Sequence, residues 1–305
     1  MAIFNIDNEQ RLEVIKEQPF KLEKEIQSLT EANLKLIFDI DFVKSEFSLN
    51  NFRIDTLAFD EDAGTFIIVE YKRDKNFSVI DQGYAYLSLM LNNKADFILE
   101  YNESSDGKLR RNDVDWSQSR VIFVSPLFTT YQKEAINFKD LPIELWEVKR
   151  YSNQTISYNQ IRTAGAQESI KTISRQDETV EEVTKEIKVY TEEEHLIIAT
   201  QATKELYEFI RNAILDLSDL EIRPKKKHIG FVSGSNVVDI SIQKNALKMW
   251  LNLRQGELED PLELARDVSS IGHWGNGDYE IVVRNDEELS YIMTLVKQSL
   301  EKNKR

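Results

Sequence analysis

An apolar run from Phe66 to Val69 gives way to Glu70, Tyr71 and Lys72, and this change of pattern organises the first half of the chain. Aromatic and β-branched residues in such a run predict a strand. Successive side chains in a strand point to opposite faces, so Ile68, Glu70 and Lys72 share one face. Removing Glu70 from water is costly unless it meets partners or a metal ion. We therefore expect chemistry at the end of this strand.

The stretches on either side of this strand add polar residues at a regular spacing. A second strand is predicted around Ile54, and the polar residues 60–64 between the two strands predict a hairpin turn. Pairing of the two strands would bring Asp55 near Glu70. A helix predicted at 78–92 carries Gln82 and Tyr86, which are four positions apart and therefore lie on one flank.

The rest of the chain alternates between strand and helix patterns. This alternation predicts the α/β (α+β) class, with a mixed sheet flanked by helices in the first part and a smaller C-terminal α+β domain. In the first part, helices are predicted at 21–37 and 130–138, and strands at 43–49, 95–101, 120–125, 143–149 and 155–161. In the second, helices are predicted at 195–217 and 286–300, and strands at 228–232, 237–242, 247–253 and 279–284.

Length and local composition predict two domains. A chain of 305 residues is long enough for two cores. Residues 163–194 are polar and rich in Glu, Thr and Lys, which predicts a charged linker or an exposed helix. The predicted domains are therefore residues 1–162 and residues 195–305.

Composition narrows the classes of function. The chain has no cysteine, which excludes disulfides and thiolate sites. No apolar run approaches the roughly 18–20 residues of a membrane span, and the N-terminus lacks the pattern of a signal peptide. We therefore expect a cytoplasmic protein without membrane contact. A net charge of −14 disfavours general coating of nucleic acid but leaves room for a local basic groove.

The order Asp55, Glu70-x-Lys72 and Gln82-x-x-x-Tyr86, in strand–turn–strand–helix context, resembles the PD-(D/E)xK nuclease superfamily. The Gln-x-x-x-Tyr element resembles its RecB-like and NucS-like branches. The proline of the name is absent, because Arg53-Ile54 precedes Asp55. The resemblance covers about residues 20–100 well. It implies a restriction endonuclease-like fold and metal-dependent hydrolysis of phosphodiester bonds in nucleic acid, in DNA rather than RNA, with a role in restriction or defence as one expectation.

The resemblance also implies a metal site. Mg²⁺ or Mn²⁺ would be held by Asp55, Glu70 and the backbone carbonyl of Tyr71, which are the oxygen ligands that such ions prefer. The ion would activate a water and neutralise charge on the phosphate. Lys72 would orient that water or stabilise the transition state.

Other residues are expected to support this site. Gln82 and Tyr86 would position the substrate strand or support the metal ligands. Members of the superfamily also present a glutamate from the first helix; Glu23 matches that position best, and Glu25 is the alternative.

Three other interpretations remain open at this stage. One is a protein-interaction module whose acidic surface meets a basic partner, which the lack of a positive groove near Asp55 would favour. Glu70 and Lys72 could form a surface salt bridge on an exposed strand end, with Asp55 in a turn. Alternatively, the same fold could serve as a catalytically silent nucleic-acid-binding or scaffold protein. Convergence of Asp55 and Glu70 in an open cleft would favour the enzyme, whereas burial of a Glu70–Lys72 pair out of reach of metal would favour the scaffold.

The C-terminal domain resembles an uncharacterised domain attached to nucleases and restriction-type proteins of bacteria. The segments 260–261, 266–268 and 272–275 carry this likeness. Substrate selection, self-association as a homodimer and partner binding are the expected roles. Proteins similar to the whole chain are sometimes labelled predicted transport proteins, and the absence of a membrane segment gives that label no physical support.

Overall fold

The computed structural model describes residues 2–73, 78–105, 107–138, 140–162, 168–170, 178–272 and 275–303. Its internal contacts divide the chain into two compact units, Met1–Lys188 and Val189–Arg305. Within the described ranges, no helix is long and apolar enough to cross a membrane.

The first unit contains a mixed sheet with helices on both faces. The strands are β1 Ile3–Ile6, β2 Leu12–Ile15, β3 Glu17–Gln18, β4 Asp41–Leu49, β5 Phe52–Asp60, β6 Thr65–Tyr71, β7 Arg120–Ser125, β8 Ile143–Tyr151 and β9 Ile156–Gln160. The helices are α1 Glu23–Glu31, α2 Leu34–Phe38, α3 Val79–Asn92, α4 Lys94–Ser104, α5 Thr130–Ala135 and α6 Glu178–Glu186, with 3-10 turns at Arg111–Asp113 and Trp116–Gln118.

The sheet has the order β3-β8-β7-β6-β5-β4, with β9 paired to β8, and β1 and β2 form a separate hairpin. Strands β4, β5 and β6 are antiparallel neighbours, whereas β6, β7 and β8 run parallel. The crossover from β6 to β7 contains α3 and α4, as a parallel connection requires. The predicted fold class is thus confirmed: a mixed sheet flanked by helices, followed by a smaller unit with an antiparallel sheet.

The alternation predicted for β6 separates two hydrophobic cores. Phe66 and Ile68 pack in one core with Leu87 of α3. Ile67 and Val69 pack in the other with Ile26 of α1. Every residue of β6 is buried, so its one charged residue, Glu70, lies in the interior rather than in solvent.

Helix α6 lies in the stretch that the sequence indicates as a charged linker or exposed helix. Its Val183 is fully buried, and Ile187, one residue after the helix end, is 5 % exposed; both belong to the core that contains α3. The division between the two units follows at Lys188 and Val189.

Three local predictions were wrong. The helix predicted at 195–217 is two helices, Glu192–Leu196 and Gln201–Leu215, because Thr200 caps a new helix start. Residues 95–101 belong to α4, not to a strand, because Phe97, Ile98 and Tyr101 reach the core at helical spacing while Leu99 is exposed. The helix predicted at 21–37 is interrupted between α1 and α2. Asn33 has a non-helical backbone there, and its side chain donates to the carbonyl of Leu29.

The second unit is an antiparallel sheet with helices. Its elements are α7 Glu192–Leu196, α8 Gln201–Leu215, β10 Glu221–Pro224, β11 Ile229–Ser233, β12 Ser235–Ile242, β13 Leu247–Leu251, β14 Arg266–Asp267, β15 Tyr279–Val283 and α9 Leu289–Asn303. The strand order is β10-β11-β12-β13-β15-β14. Tyr207 of α8 and Val296 of α9 are buried in one core with Ile240 and Met249 of the sheet. His273 and Trp274, which contribute to the C-terminal resemblance, lie outside the described residues.

Candidate active site

The antiparallel pairing of β5 and β6 brings Asp55 to Glu70. The register pairs Thr56 of β5 with Val69 of β6. Asp55, one residue before Thr56, therefore lies across from Glu70, one residue after Val69. The backbone N–H of Tyr71 donates to Oδ2 of Asp55 over 3.1 Å. This bond fixes the Asp55 carboxylate at the end of β6.

Glu70 is a buried carboxylate whose two oxygens have different surroundings. The residue is 2 % exposed. Its Oε1 accepts from Nζ of Lys72 over 2.6 Å and from Nε2 of Gln82 over 3.1 Å. Its Oε2 is buried and has no hydrogen-bond partner in the described part of the chain. One oxygen is thus paired with a lysine, and the other has no hydrogen-bond donor among the described residues.

Helix α3 supplies the two residues predicted on one flank. Ser78 caps the helix by accepting from the N–H of Asp81, which favours a helix start at Val79. Gln82 therefore lies in the first turn of α3. Nε2 of Gln82 also donates to the Tyr86 hydroxyl over 3.1 Å, and that hydroxyl donates to the carbonyl of Arg53 over 3.3 Å. This chain of bonds connects α3 to the residue two positions before Asp55.

Glu23 and Glu25 point to different places. Oε2 of Glu23 accepts from the backbone N–H of Arg73, one residue beyond Lys72. Glu25 instead pairs with Arg150 on β8 over 3.1 Å. The structure therefore brings Glu23, and not Glu25, to the end of β6.

Burial and like charge disfavour ionisation of the two central carboxyls. Burial, together with the neighbouring charge of Asp55, raises the pKa of Glu70 to about 7, although Lys72 acts in the opposite direction. Burial also raises the pKa of Asp55, with contributions from Glu23 and Glu46. A cation at this position would relieve both effects.

Two residues near Asp55 were missed by sequence reasoning. Gln27, 4 % exposed on α1, donates to the backbone carbonyl of Asp55 over 3.0 Å. Its spacing of four from both Glu23 and Glu31 was a readable signal, because the three residues form one polar stripe of α1. Glu46 of β4 accepts from Lys24 and pairs with Arg53. Its left-handed backbone, with φ of 54°, could not be read from the sequence.

The residues present fit a hard divalent cation. Asp55 and Glu70 supply carboxylate oxygens at positions across from each other, and Oε2 of Glu70 is a buried acceptor with no donor within the described ranges. Mg²⁺ is typically held by one or two carboxylates and several waters. Glu70 and Asp55 could provide those carboxylates, and the Tyr71 carbonyl remains a predicted third ligand.

The first unit is thus a mixed sheet flanked by helices, with a buried glutamate, an aspartate and a lysine gathered at the end of β6. The chain is 52 % identical over 302 residues to an uncharacterized protein of Haemophilus influenzae (strain ATCC 51907 / DSM 11121 / KW20 / Rd), covering 99 % of this chain and 100 % of that protein. The chain belongs to the same family as this Haemophilus protein. Residues 192–303 match a domain of unknown function (DUF5655).

Two solved structures are similar to part of the chain. One, described as the structure of an EndoMS-dsDNA2 complex, has a TM-score of 0.27 and 17 % identity, and covers 45 % of this chain and 51 % of that one. The other, a repair endonuclease from Pyrococcus abyssi, has a TM-score of 0.23 and 16 % identity, and covers 44 % of this chain and 60 % of that one. The similar region thus spans about half to three fifths of those proteins.

Proposed function

We propose that the first unit is a metal-dependent nuclease that hydrolyses phosphodiester bonds in DNA, with Mg²⁺ or Mn²⁺ held by Asp55, Glu70 and the Tyr71 carbonyl. The observation that carries this proposal is that Oε2 of buried Glu70, beside Asp55, has no hydrogen-bond partner in the part of the chain that the structure describes. An unpaired buried carboxylate oxygen is costly, and a bound cation is one way to offset that cost. The choice of DNA over RNA rests on the sequence resemblance.

The remaining site residues each have a separate task in this proposal. When bound, the cation supplies Lewis acidity and lowers the pKa of water. Lys72 holds a proton at Nζ and stabilises the negative charge that develops on the phosphate. Gln82 orients Glu70 by donating to its Oε1. The Tyr86 hydroxyl holds Gln82 in place by accepting from its Nε2 and donating to the Arg53 carbonyl. Glu23 ties the end of β6 to α1 through the Arg73 N–H.

A second function is favoured by one specific contact. Nζ of Lys72 lies 2.6 Å from Oε1 of Glu70, so the lysine already neutralises the buried carboxylate. A Glu70–Lys72 pair that is stable without metal is what a silent nucleic-acid-binding or scaffold protein would retain. The two functions differ in whether a cation reaches Oε2.

Metal-dependent cleavage distinguishes them. Single-stranded, branched and duplex DNAs, with a single-stranded RNA for comparison, are incubated with the protein in Mg²⁺, in Mn²⁺ and in EDTA. The wild type is compared with Asp55→Ala and Lys72→Ala. Lys35→Ala serves as a matched control, because Lys35 is also an ion-paired lysine but lies away from the site. Its partner Asp41 lies opposite Phe59, four residues from Asp55 along β5.

The nuclease proposal predicts cleavage by the wild type and by Lys35→Ala with metal and none in EDTA. Removal of Lys72 is expected to slow cleavage by at least about 100-fold, the usual effect of losing one charge-stabilising donor. Unchanged DNA binding without cleavage of any substrate would favour the silent protein. Cleavage that survives both site substitutions would show that the site lies elsewhere.

A further inference from the structure

Strand β4 carries an irregularity directly beside Asp55. Ser45 pairs with Thr56 and Phe47 pairs with Ile54, so Glu46 lies across from Asp55. Glu46 has a φ of 54°, in the left-handed region that residues with a side chain rarely adopt. Strained backbone of this kind persists where surrounding contacts enforce it, and it is often associated with function. The side chains that contact β4 near Glu46 are therefore relevant to the function of the site.

Gln27 supplies a contact to both strands at this point. Its Nε2 lies 3.0 Å from the Asp55 carbonyl and 3.2 Å from Oγ of Ser45. The same nitrogen lies 2.9 Å from Oε1 of Glu31, one turn further along α1. Gln27 is 4 % exposed, so these contacts are made away from water. Helix α1 is thus joined to β4 and β5 through one buried side-chain amide.

Asp55 is consequently held at two places. Gln27 fixes its backbone carbonyl, and the N–H of Tyr71 fixes its carboxylate. A rotation of the Asp55 peptide would break the first bond and shift the carboxylate relative to Glu70. Substituents that orient a metal-binding carboxylate commonly change metal affinity or activity by 10- to 100-fold when removed.

We propose that Gln27 is a positioning residue: its side-chain amide sets the orientation of Asp55 beside Glu70 and thereby the fit of the site to a divalent cation. This inference rests on the proposed function, and it assigns to the first helix a task separate from that of Glu23. Gln27 acts through Asp55 and touches neither substrate nor metal.

The test compares Gln27→Met with Gln118→Met in the full chain. Methionine keeps the length of the side chain and removes the donor. Gln118 is the matched control, because its Nε2 also donates to a backbone carbonyl, that of Ala63, just before the start of β6 and at the opposite end of that strand from Glu70. Thermal unfolding, Mn²⁺ affinity, cleavage kinetics and the ¹H–¹⁵N resonance of the Tyr71 amide are measured for each.

Gln27→Met is expected to weaken Mn²⁺ binding and lower kcat by about 10- to 100-fold, with the KM for DNA nearly unchanged. The Tyr71 amide resonance of the metal-free protein should shift, because its bond to Asp55 is disturbed. Gln118→Met should leave the Mn²⁺ affinity, the kcat and the Tyr71 resonance unchanged, although it loses a comparable amount of thermal stability. Wild-type Mn²⁺ affinity and kcat in Gln27→Met would overturn the inference.

The Tyr71 resonance separates this inference from the proposed function. If the wild type neither binds Mn²⁺ nor cleaves DNA, the nuclease proposal fails. The Tyr71 resonance then decides about Gln27 alone: a shift specific to Gln27→Met supports its positioning of Asp55, and an unshifted resonance overturns it.

Discussion

Two opposing effects act on the ionisation of the Glu70 carboxyl. Burial and Asp55 disfavour its charge, whereas Lys72 favours it. The balance leaves its pKa at about 7, well above the ordinary value for glutamate of about 4.3. A carboxyl with a pKa of about 7 is close to half protonated at neutral pH, so a proton competes with a cation for this group.

The raised pKa of Glu70 predicts a stability change with a definite sign. Between about pH 4.3 and pH 7 the folded protein keeps a proton on Glu70 that the unfolded chain has released, so this group's contribution to stability falls as the pH rises through that window. Glu70→Gln removes this dependence. We expect the metal-free variant to be more stable than the wild type at pH 8, by on the order of 1–3 kcal/mol, and the difference to shrink at pH 5.

Thermal unfolding in EDTA at pH 5 and pH 8 measures this difference. The loss of the Lys72 partner works against the gain, so the change with pH is the decisive quantity rather than the absolute Tm. An equal difference at both pH values, or a larger one at pH 5, would contradict the assigned pKa direction.

The sequence identified most residues of this site because their types and order carry the information. Asp55, Glu70, Lys72, Gln82 and Tyr86 are joined by the strand pairing and hydrogen bonds described above. Their roles in catalysis and metal binding remain predictions. Gln27 was missed although its spacing along α1 was a readable signal, whereas Glu46 was missed because its left-handed backbone in β4 is encoded by no local pattern.

At the scale of elements, the approach of α3 to the sheet depends on a glycine next to Gln82. A Cβ on Gly83 would lie 2.5 Å from Cδ1 of Ile143 and 3.6 Å from the ring of Phe123. A real Cβ atom does not approach another atom to 2.5 Å, so the side chain of Ile143 would have to move. Gly83 thus allows α3 to pack close to β7 and β8.

Gly83→Val is therefore expected to destabilise the first unit by about 1–3 kcal/mol, because overpacking forces α3 away from the sheet. Gly83→Ala should cost less, since the flexible end of Ile143 can move and alanine favours the helix. Chemical denaturation measures both, with Gly272→Ala as a control whose added Cβ meets no atom of the described residues within 4 Å. A valine variant as stable as the wild type would contradict this packing.

Elements were predictable where pattern and burial agreed. Strands β5 to β8 were found because their apolar runs are buried in the sheet. The strand predicted at 95–101 was wrong, because only a helix places Phe97, Ile98 and Tyr101 toward the same core and leaves Leu99 exposed. Tertiary packing decided this element, and local sequence did not.

For the whole molecule, each of the two units has its own hydrophobic core. Units with separate cores commonly fold alone. We expect residues 189–305, expressed without the rest of the chain, to unfold in one cooperative transition in urea. Residues 1–188 should retain metal-dependent cleavage.

Circular dichroism and the cleavage assay test the two fragments. A noncooperative transition of residues 189–305 would contradict an independent second core. Loss of cleavage by a folded fragment of residues 1–188 would show that the second unit takes part in the reaction.

Direct binding of Mn²⁺ to the metal-free protein tests the central claim most closely, because it does not require the right nucleic acid. Calorimetry at pH 8 compares the wild type with Asp55→Ala, Glu70→Gln and the control Asp60→Asn. Asp60 is also buried and ion-paired, with Arg120, but lies at the other end of β5. Binding by the wild type and by Asp60→Asn, with loss in the other two variants, is the predicted result. No binding by the wild type, or binding that survives both site substitutions, would contradict a metal site at Asp55 and Glu70.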